Sequence, residues 1–332
     1  MLLGAVALWC SVAGGEQLVS AQAPRDAGVV RTDTLWAQSL GIRKALTVYL
    51  PPSYGRSPAR RYPVLYYLHG LSGNERNWVE QGALARTLDS LVRAGKPEAI
   101  VVMPDGDDGW YTTWNVLLDA SVCRADSARR EPAASYCVPW PHYDDYIARD
   151  IVSHVDRGYR TRATRGARGI AGLSMGGYGA VSLALSYPDV FGAAASHSGV
   201  LSPRFVGPKP FAAPARYATD SASLRAAAGS LWRSMAPAFG RDTIGWTARD
   251  PGRIAARLKR AGTIRGGSMP ALMIDCGVDD PYIDQSRDLH ATLERLGIAH
   301  RYAEWPGRHD WTYWRTHAGE SLVFLLDRVA RR

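Results

Sequence analysis

The chain is short of the residues and runs that define several large classes of protein. It has only 4 cysteines among 332 residues, and no set of cysteines and histidines has the spacing of a metal site. After the N-terminal region no segment is apolar for about 18 residues, the length that a membrane-spanning helix needs. Internal repeats are absent, and a hydrophobic content of 46% is ordinary for a globular protein. We therefore expect a globular protein with no metal, no organic cofactor and no integral membrane span.

The net charge is positive, +9 with histidine neutral, and arginine supplies most of it. The arginines are scattered rather than interleaved with stacking aromatic residues, so no nucleic-acid partner is expected. A basic, solvated surface is the simpler interpretation, and such a surface favours encounters with anionic molecules.

The first 23 residues have the pattern of an export signal. The apolar stretch 2–15 is too short to span a bilayer as a free helix, and Ala21-Gln22-Ala23 is an A-x-A cleavage pattern. The stretch lacks a basic residue ahead of it. We expect residues 1–23 to be a signal peptide, residues 24–332 to form a single domain, and the mature protein to be secreted or periplasmic.

Three cysteines remain after that segment. Cys123 and Cys137 lie in one polar, irregular stretch and could close a small loop by a disulfide, which export permits. Cys276 ends the apolar run 271–276, so we expect it to be a buried free thiol.

Apolar, strand-like runs alternate with helical patterns after residue 60. Two earlier runs, 34–37 and 46–50, are typical of leading antiparallel strands. Later strands are predicted at 64–68, 99–103, 169–173, 191–196, 271–276 and 301–305, and helices at 82–94, 146–158, 176–186, 283–296 and 312–329. This alternation predicts an α/β fold with a mostly parallel central sheet covered by helices on both faces. Residues 201–262 interrupt it, with helical pieces at 222–234 and 254–261, and are predicted to be a lid-like insertion.

The most specific motif is Gly172-Leu173-Ser174-Met175-Gly176, which has the form G-x-S-x-G. An apolar run precedes it and a helical pattern of small residues follows. In such an elbow the serine lies on a tight turn between a buried strand and a helix, and glycines are needed where the two elements nearly touch. The motif predicts that Ser174 is a nucleophile. The alternative is a glycine-rich turn with an ordinary serine.

A serine hydroxyl needs a base, and the base needs an orienting carboxylate. Asp280 follows the strand 271–276 in a G-x-x-D layout and is the predicted acid, with Asp279 as the alternative. Asp275 lies within that strand and is expected to be structural. His309 follows the strand 301–305, directly before the last helix, and is the predicted base. His197 follows an earlier strand and could line the pocket.

The tetrahedral intermediate of acyl transfer needs backbone N–H donors. Met175, directly after the serine, is one predicted donor. Leu71, in the loop His69-Gly70-Leu71-Ser72-Gly73 after the strand 64–68, is the other. The alternative for that loop is a simple turn between a strand and a helix.

Aromatic and acidic residues lie near the expected pocket. Trp110, Tyr111 and Trp311 are predicted to bind substrate by stacking on an aromatic acyl group or a sugar. The alternative is that these rings brace loops over the core. Asp105, Asp107 and Asp108 form an acidic turn that does not match a calcium loop, and we expect it to be solvated.

Several segments, in order along the chain, together resemble a known family. They are Tyr67-Leu68-His69-Gly70-Leu71-Ser72-Gly73, Met103-Pro104-Asp105-Gly106, Trp110-Tyr111, Ala171-Gly172-Leu173-Ser174-Met175-Gly176-Gly177-Tyr178-Gly179-Ala180 and Trp305-Pro306-Gly307-Arg308-His309-Asp310-Trp311. The resemblance is to the putative esterase family, which includes S-formylglutathione hydrolases of the esterase D type, feruloyl and acetylxylan esterase domains, enterobactin-type esterases and mycolyltransferases. It implies an α/β-hydrolase fold and hydrolysis of carboxylic esters by Ser174, Asp280 and His309.

The resulting expectation is an exported serine carboxylesterase that works through an acyl-enzyme. Its substrate would be a small ester or an acyl ester on a polysaccharide, of the feruloyl or acetyl type. One alternative is an acyltransferase of the mycolyltransferase type, which would use the same three residues and deliver the acyl group to a sugar. A second is a carbohydrate-binding module that has kept the fold without catalysis. The sequence leaves the oligomeric state open.

Overall fold

The computed structural model describes residues 27–114, 138, 141–265 and 269–330, with no side chains described for 262–265. The predicted signal peptide at 1–23 and the two paired-looking cysteines, Cys123 and Cys137, lie outside the described residues.

A sheet of eight strands forms the centre of the described chain. In space the strands follow the order β1-β2-β4-β3-β5-β6-β9-β10. β1 pairs antiparallel with β2, β2 pairs antiparallel with β4, and the pairs from β4 to β10 are parallel. The strands are β1 (Val29–Ala37), β2 (Ile42–Leu50), β3 (Val64–Leu68), β4 (Ile100–Pro104), β5 (Arg168–Leu173), β6 (Ala193–His197), β9 (Ala271–Gly277) and β10 (His300–Trp305), and a separate ribbon joins β7 (Phe205–Gly207) to β8 (Arg216–Tyr217).

Helices cover both faces of this sheet. The α-helices are α1 (Asn77–Glu80), α2 (Leu84–Arg93), α3 (Tyr143–Asp145), α4 (Val152–Gly158), α5 (Met175–Ser186), α6 (Ser221–Ala228), α7 (Trp232–Phe239), α8 (Thr243–Ala248), α9 (Pro251–Arg265), α10 (Ile283–Arg295) and α11 (Trp311–Val329). Residues Tyr146–Ile151, between α3 and α4, form a π-helix.

The core has two parts because the central strands are buried on both faces. Every residue of β3, β4, β5 and β6 is buried, as expected for parallel strands between two helical layers. One apolar cluster includes residues of α4 and α5, and the other packs α2 and α11 against the opposite face. The predicted α/β fold, including its leading antiparallel strands, is confirmed, and Cys276 is a buried free thiol as predicted.

The predicted elements differ from the structure in a few places. The single helical piece expected at 222–234 is two helices, α6 and α7, because Gly229 leaves the helical region with φ +55°. The helical stretch expected from residue 146 begins at Tyr143. Among the described residues, no helix is both long and apolar enough to cross a membrane.

The insertion between β6 and β9 packs against α5 and the turn after β4. The hydroxyl of Tyr178, on α5, donates to the carbonyl of Arg249 at 2.9 Å. The indole N–H of Trp110 donates to the hydroxyl of Ser234, on α7, at 3.2 Å. The ring of Phe239, on α7, packs against both of these rings, with its centroid 5.7 Å from that of Trp110 and 5.3 Å from that of Tyr178. The insertion is thus bound to α5, the helix that follows the G-x-S-x-G motif.

Leu322→Ala tests the packing of α11 on the sheet. Leu322 is fully buried, so the loss of its side chain should lower the free energy of unfolding by about 2–5 kcal/mol. Ile244 is 80% exposed, and Ile244→Ala should change it by no more than about 0.5 kcal/mol. Urea unfolding followed by circular dichroism measures both, and equal effects would contradict this assignment of the core.

Candidate active site

The G-x-S-x-G motif forms a strand–turn–helix elbow. β5 ends at Leu173 and α5 begins at Met175, so Ser174 alone makes the turn. Its φ of +53° and ψ of −118° lie in a region that costs a non-glycine residue about 1–3 kcal/mol. The N–H of Ser174 donates to the carbonyl of His197 at 2.9 Å, which ties the elbow to β6. The predicted elbow is therefore present.

Two glycines permit the close approach of β5, β3 and α5. A Cβ on Gly172 would lie 2.3 Å from the carbonyl oxygen of Gly176. A Cβ on Gly176 would lie 2.4 Å from the carbonyl oxygen of Leu68 and 2.5 Å from that of His69. Since backbone atoms cannot move aside as a side chain can, only glycine fits at either position.

The side chains of Ser174, His309 and Asp280 form a continuous hydrogen-bonded relay. The hydroxyl of Ser174 donates to Nε2 of His309 at 2.9 Å. Nδ1 of His309 donates to Oδ2 of Asp280 at 2.8 Å. The three residues follow β5, β10 and β9, whose carboxyl ends meet at one edge of the sheet. This is the arrangement that a serine nucleophile, a base and an orienting carboxylate require.

The structure distinguishes the two candidate carboxylates. Asp280 is 2% exposed, and its second oxygen, Oδ1, accepts the N–H of Tyr282 at 2.8 Å. Asp279 is exposed to solvent, and its N–H donates to the carbonyl of Gly307 at 3.0 Å. Asp280 is therefore the carboxylate that meets His309.

Two aromatic rings contact the imidazole of His309. The ring of Tyr282 lies 4.9 Å away at an interplanar angle of 71°, and that of Trp314 lies 5.0 Å away at 88°. Together with the bonds at both nitrogens, these two rings fix the orientation of His309. The sequence analysis missed Tyr282 and Trp314, although each lies within five residues of a predicted site residue.

The loop after β3 lies directly against the elbow. A Cβ on Gly70 would meet the Cβ of Ser174 at 3.5 Å, so the backbone of this loop passes beside the serine. The next residue, Leu71, is half-buried. Met175 is the first residue of α5, where backbone N–H groups have no partner within the helix. The two predicted oxyanion donors thus belong to chain segments that adjoin Ser174.

A buried ionic cluster lies beside that loop. Nζ of Lys44, on β2, contacts Oδ2 of Asp105 at 2.6 Å and Oδ1 of Asp107 at 2.9 Å. Lys44 is 2% exposed and Asp107 is 7% exposed. The prediction of a solvated acidic turn is therefore wrong for Asp107. A lysine in β2, two residues before the mainly apolar run 46–50, is the signal that could have identified the cluster.

His69 connects this cluster to the loop. Its Nδ1 donates to the carbonyl of Gly70 at 2.7 Å, and its Nε2 accepts the N–H of Gly106 at 2.9 Å. Asp108 adds a link from the same turn, because its Oδ1 accepts the N–H of Ser72 at 2.6 Å. The turn that begins at Gly106 therefore holds the backbone of the loop that carries Leu71.

The three aromatic residues predicted to bind substrate occupy different environments. Trp110 and Tyr111 are 0% and 1% exposed, and the hydroxyl of Tyr111 donates to the carbonyl of His69 at 3.0 Å. Their burial favours the alternative that these rings support the loops. Trp311 is half-buried and packs edge-on against Trp78.

Gly172→Ala tests the close contact at the elbow. The added methyl group would overlap the backbone of Gly176, so the variant should lose about 1–3 kcal/mol of stability. Displacement of Ser174 should also slow its labelling by a fluorophosphonate by at least about tenfold. Gly158→Ala is the matched control, because nothing lies within 4 Å of its Cβ position. Unchanged labelling in Gly172→Ala would contradict the role of this contact.

The pKa of Asp107 predicts a pH dependence of stability. Burial and, to a smaller extent, the neighbouring carboxylate of Asp105 together raise this pKa to about 6. Because the folded pKa exceeds the value of about 3.9 in unfolded chains, the stability that Asp107 contributes is present below about pH 4 and lost as the pH rises through 6.

Asp107→Asn removes this titration. The free energy of unfolding of Asp107→Asn minus that of the natural chain should therefore rise by about 2–3 kcal/mol between pH 4 and pH 8. Urea unfolding of both chains across that range measures the difference. A difference that is constant with pH would show that Asp107 keeps an ordinary pKa.

The chain is similar in sequence to proteins named as esterases. The chain is 31% identical over 280 residues to Esterase MT1326 of Mycobacterium tuberculosis (strain CDC 1551 / Oshkosh), an alignment that covers 82% of this chain and 53% of that protein. It is 26% identical over 264 residues to an acetyl esterase of Caldicellulosiruptor saccharolyticus, covering 79% and 82% of the two chains. The chain thus spans about half the length of the mycobacterial relative.

Solved structures share the fold. A ferulic acid esterase superposes with a TM-score of 0.65 at 24% identity, covering 91% of this chain and 98% of that one. Residues 37–322 match the family described as Putative esterase. With most of its length matched, the chain belongs to the putative esterase family.

Proposed function

We propose that this protein is a serine carboxylesterase that acts through an acyl-enzyme. The observation that carries the proposal is the hydrogen-bonded relay of Ser174, His309 and Asp280 at a strand–turn–helix elbow. Family membership supports hydrolysis of carboxylic esters as the chemistry.

The proposed first half-reaction transfers the acyl group to the enzyme. Oγ of Ser174 attacks the ester carbonyl while Nε2 of His309 takes the hydroxyl proton, and Asp280 stabilises the imidazolium that forms. The carbonyl electron pair moves to the oxygen, where the N–H groups of Leu71 and Met175 stabilise it. When the tetrahedral intermediate collapses, the C–O bond to the alcohol breaks and His309 returns the proton to the leaving alcohol.

The second half-reaction repeats these steps with water. Water gives a proton to His309 and attacks the acyl-enzyme. When this second tetrahedral intermediate collapses, the bond between the acyl carbon and Oγ of Ser174 breaks, His309 returns the proton to Oγ, and the acid is released. Neither half-reaction changes an oxidation state.

We propose small or polysaccharide-linked acyl esters as substrates, of the acetyl or feruloyl type. The name of the acetyl esterase relative supports the small acyl group. Trp311, half-buried and two residues after His309, is the ring we propose for contact with an aromatic acyl group or a sugar. The signal-like residues 1–23 support export. Fusion of these residues to the N-terminus of a reporter protein would test it, and a reporter that stays inside the cell would contradict export.

Substitution within the relay tests the mechanism. Ser174→Ala and His309→Gln should each lower kcat on p-nitrophenyl acetate by at least about 10³-fold, since the members of such a relay act as a unit. Asp280→Asn should cost about 10²–10⁴-fold, because it disturbs the tautomer of His309. Asp279→Asn is the matched control, because its exposed side chain lies next to the relay without joining it, and it should stay within about twofold of the natural chain.

The acyl preference is measured with the p-nitrophenyl esters of acetate, butyrate and octanoate, and with methyl ferulate. Faster turnover of acetate or ferulate than of octanoate is expected. Product analysis with sugar acceptors separates hydrolysis from acyl transfer, and transfer that outpaces hydrolysis would replace the esterase with the acyltransferase. A folded natural chain with neither turnover nor fluorophosphonate labelling would overturn the proposal and favour a carbohydrate-binding module.

A further inference from the structure

A second set of polar side chains lies buried beneath the relay, on the face of the sheet that α11 covers. Its members are at most 3% exposed, and they come from three strands and one helix: Tyr67 of β3, His197 of β6, Asp275 of β9, and Tyr313 and Ser321 of α11. The proposed reaction uses none of them. His197, expected at the pocket from its sequence position, belongs to this buried set instead.

Asp275 is the centre of the set. The hydroxyl of Tyr313 donates to its Oδ1 at 2.9 Å. Nδ1 of His197 lies 2.8 Å from its Oδ2, at ion-pair distance but without the alignment of a hydrogen bond. Tyr313 therefore supplies the directional bond to a carboxylate that is completely buried. Such a carboxylate is costly to bury unless partners surround it, so its position is strongly constrained.

The set continues to β3 through Ser321. Nε2 of His197 lies 2.8 Å from Oγ of Ser321, and the hydroxyl of Tyr67 lies 3.0 Å from the same oxygen. Strands β3, β6 and β9 are thus joined to α11 by polar contacts beneath the carboxyl edge of the sheet.

Each member of the relay is connected to this buried set, either by a backbone hydrogen bond or by a few residues of chain. The carbonyl of His197 accepts the N–H of Ser174 at 2.9 Å. Asp275 lies on the strand that ends three residues before Asp280. Tyr313 lies one turn after His309 and packs on the backbone of the same loop, because a Cβ on Gly307 would lie 2.6 Å from its ring.

We infer that Asp275 and Tyr313 are positioning residues, whose bond sets the distance between the loop of His309 and β9, the strand that precedes Asp280. The inference rests on the proposed function, since it concerns the same reaction. Displacement of reacting groups by about 1 Å can cost about 100-fold in rate. His309 and Asp280 serve both half-reactions, so loss of the bond should slow acylation and deacylation alike. kcat should therefore fall while KM hardly changes.

Tyr313→Phe isolates this bond, because the ring that packs on Gly307 remains and the hydroxyl is lost. We expect kcat on p-nitrophenyl acetate and the rate of fluorophosphonate labelling each to fall about tenfold, with KM within twofold. Tyr49→Phe is the matched control. Tyr49, on β2, is 1% exposed. Its hydroxyl donates to the carboxylate of Asp89, on α2, at 2.7 Å, away from the relay. It should lose stability but keep kcat within twofold.

Asp275→Ala removes the acceptor of the same bond and provides a second route to the answer if one variant folds poorly. The double variant Asp275→Ala/Tyr313→Phe should lose no more kcat than the more impaired single variant, because both changes break the same bond. If Tyr313→Phe and Asp275→Ala lower the melting temperature but keep kcat within twofold, the buried set has a structural role alone and the inference is overturned. If the natural chain shows neither turnover nor labelling, it is the proposed function that fails.

Discussion

The approach of β5 to the first turn of α5 leaves no space for a side chain at Gly172 or Gly176, and the rest of the site depends on this contact. It forces Ser174 to make the whole turn in a strained conformation, which directs its hydroxyl to His309. It also brings the first N–H groups of α5 beside the serine. The loop after β3 can then pass against the Cβ of Ser174, because Gly70 has no side chain of its own.

Two buried polar clusters support this arrangement from opposite sides. Lys44 and Asp107 anchor the turn that holds the loop of Leu71, and Asp275 with Tyr313 anchors the loop of His309. Buried charges are costly when they lose a partner, so clusters of this kind tolerate few alternative geometries. The groups that would move protons and bind the oxyanion are therefore attached to the parts of the core least able to rearrange.

Aromatic residues couple the insertion to the site. Trp110 and Tyr111, expected to face a substrate, are buried between the loop of His69 and the insertion. Trp110 contacts α7 through Ser234 and Phe239, and the adjacent Tyr111 donates to the carbonyl of His69. The insertion and the loop that carries Leu71 therefore pack against the same short segment of the chain.

The sequence by itself determined the order of strands and helices, the elbow, and Ser174 and His309 of the relay. These follow from local signals: apolar periodicity, glycines at close contacts, and polar residues directly after strands. Tertiary structure decided between Asp280 and Asp279, since both follow the same strand and only folding shows which carboxylate meets His309. It also decided which polar residues are buried. His197 and Asp107 have ordinary sequence neighbours, and their partners, Asp275 and Lys44, come close only when distant strands pair, because burial depends on the packing of the whole sheet.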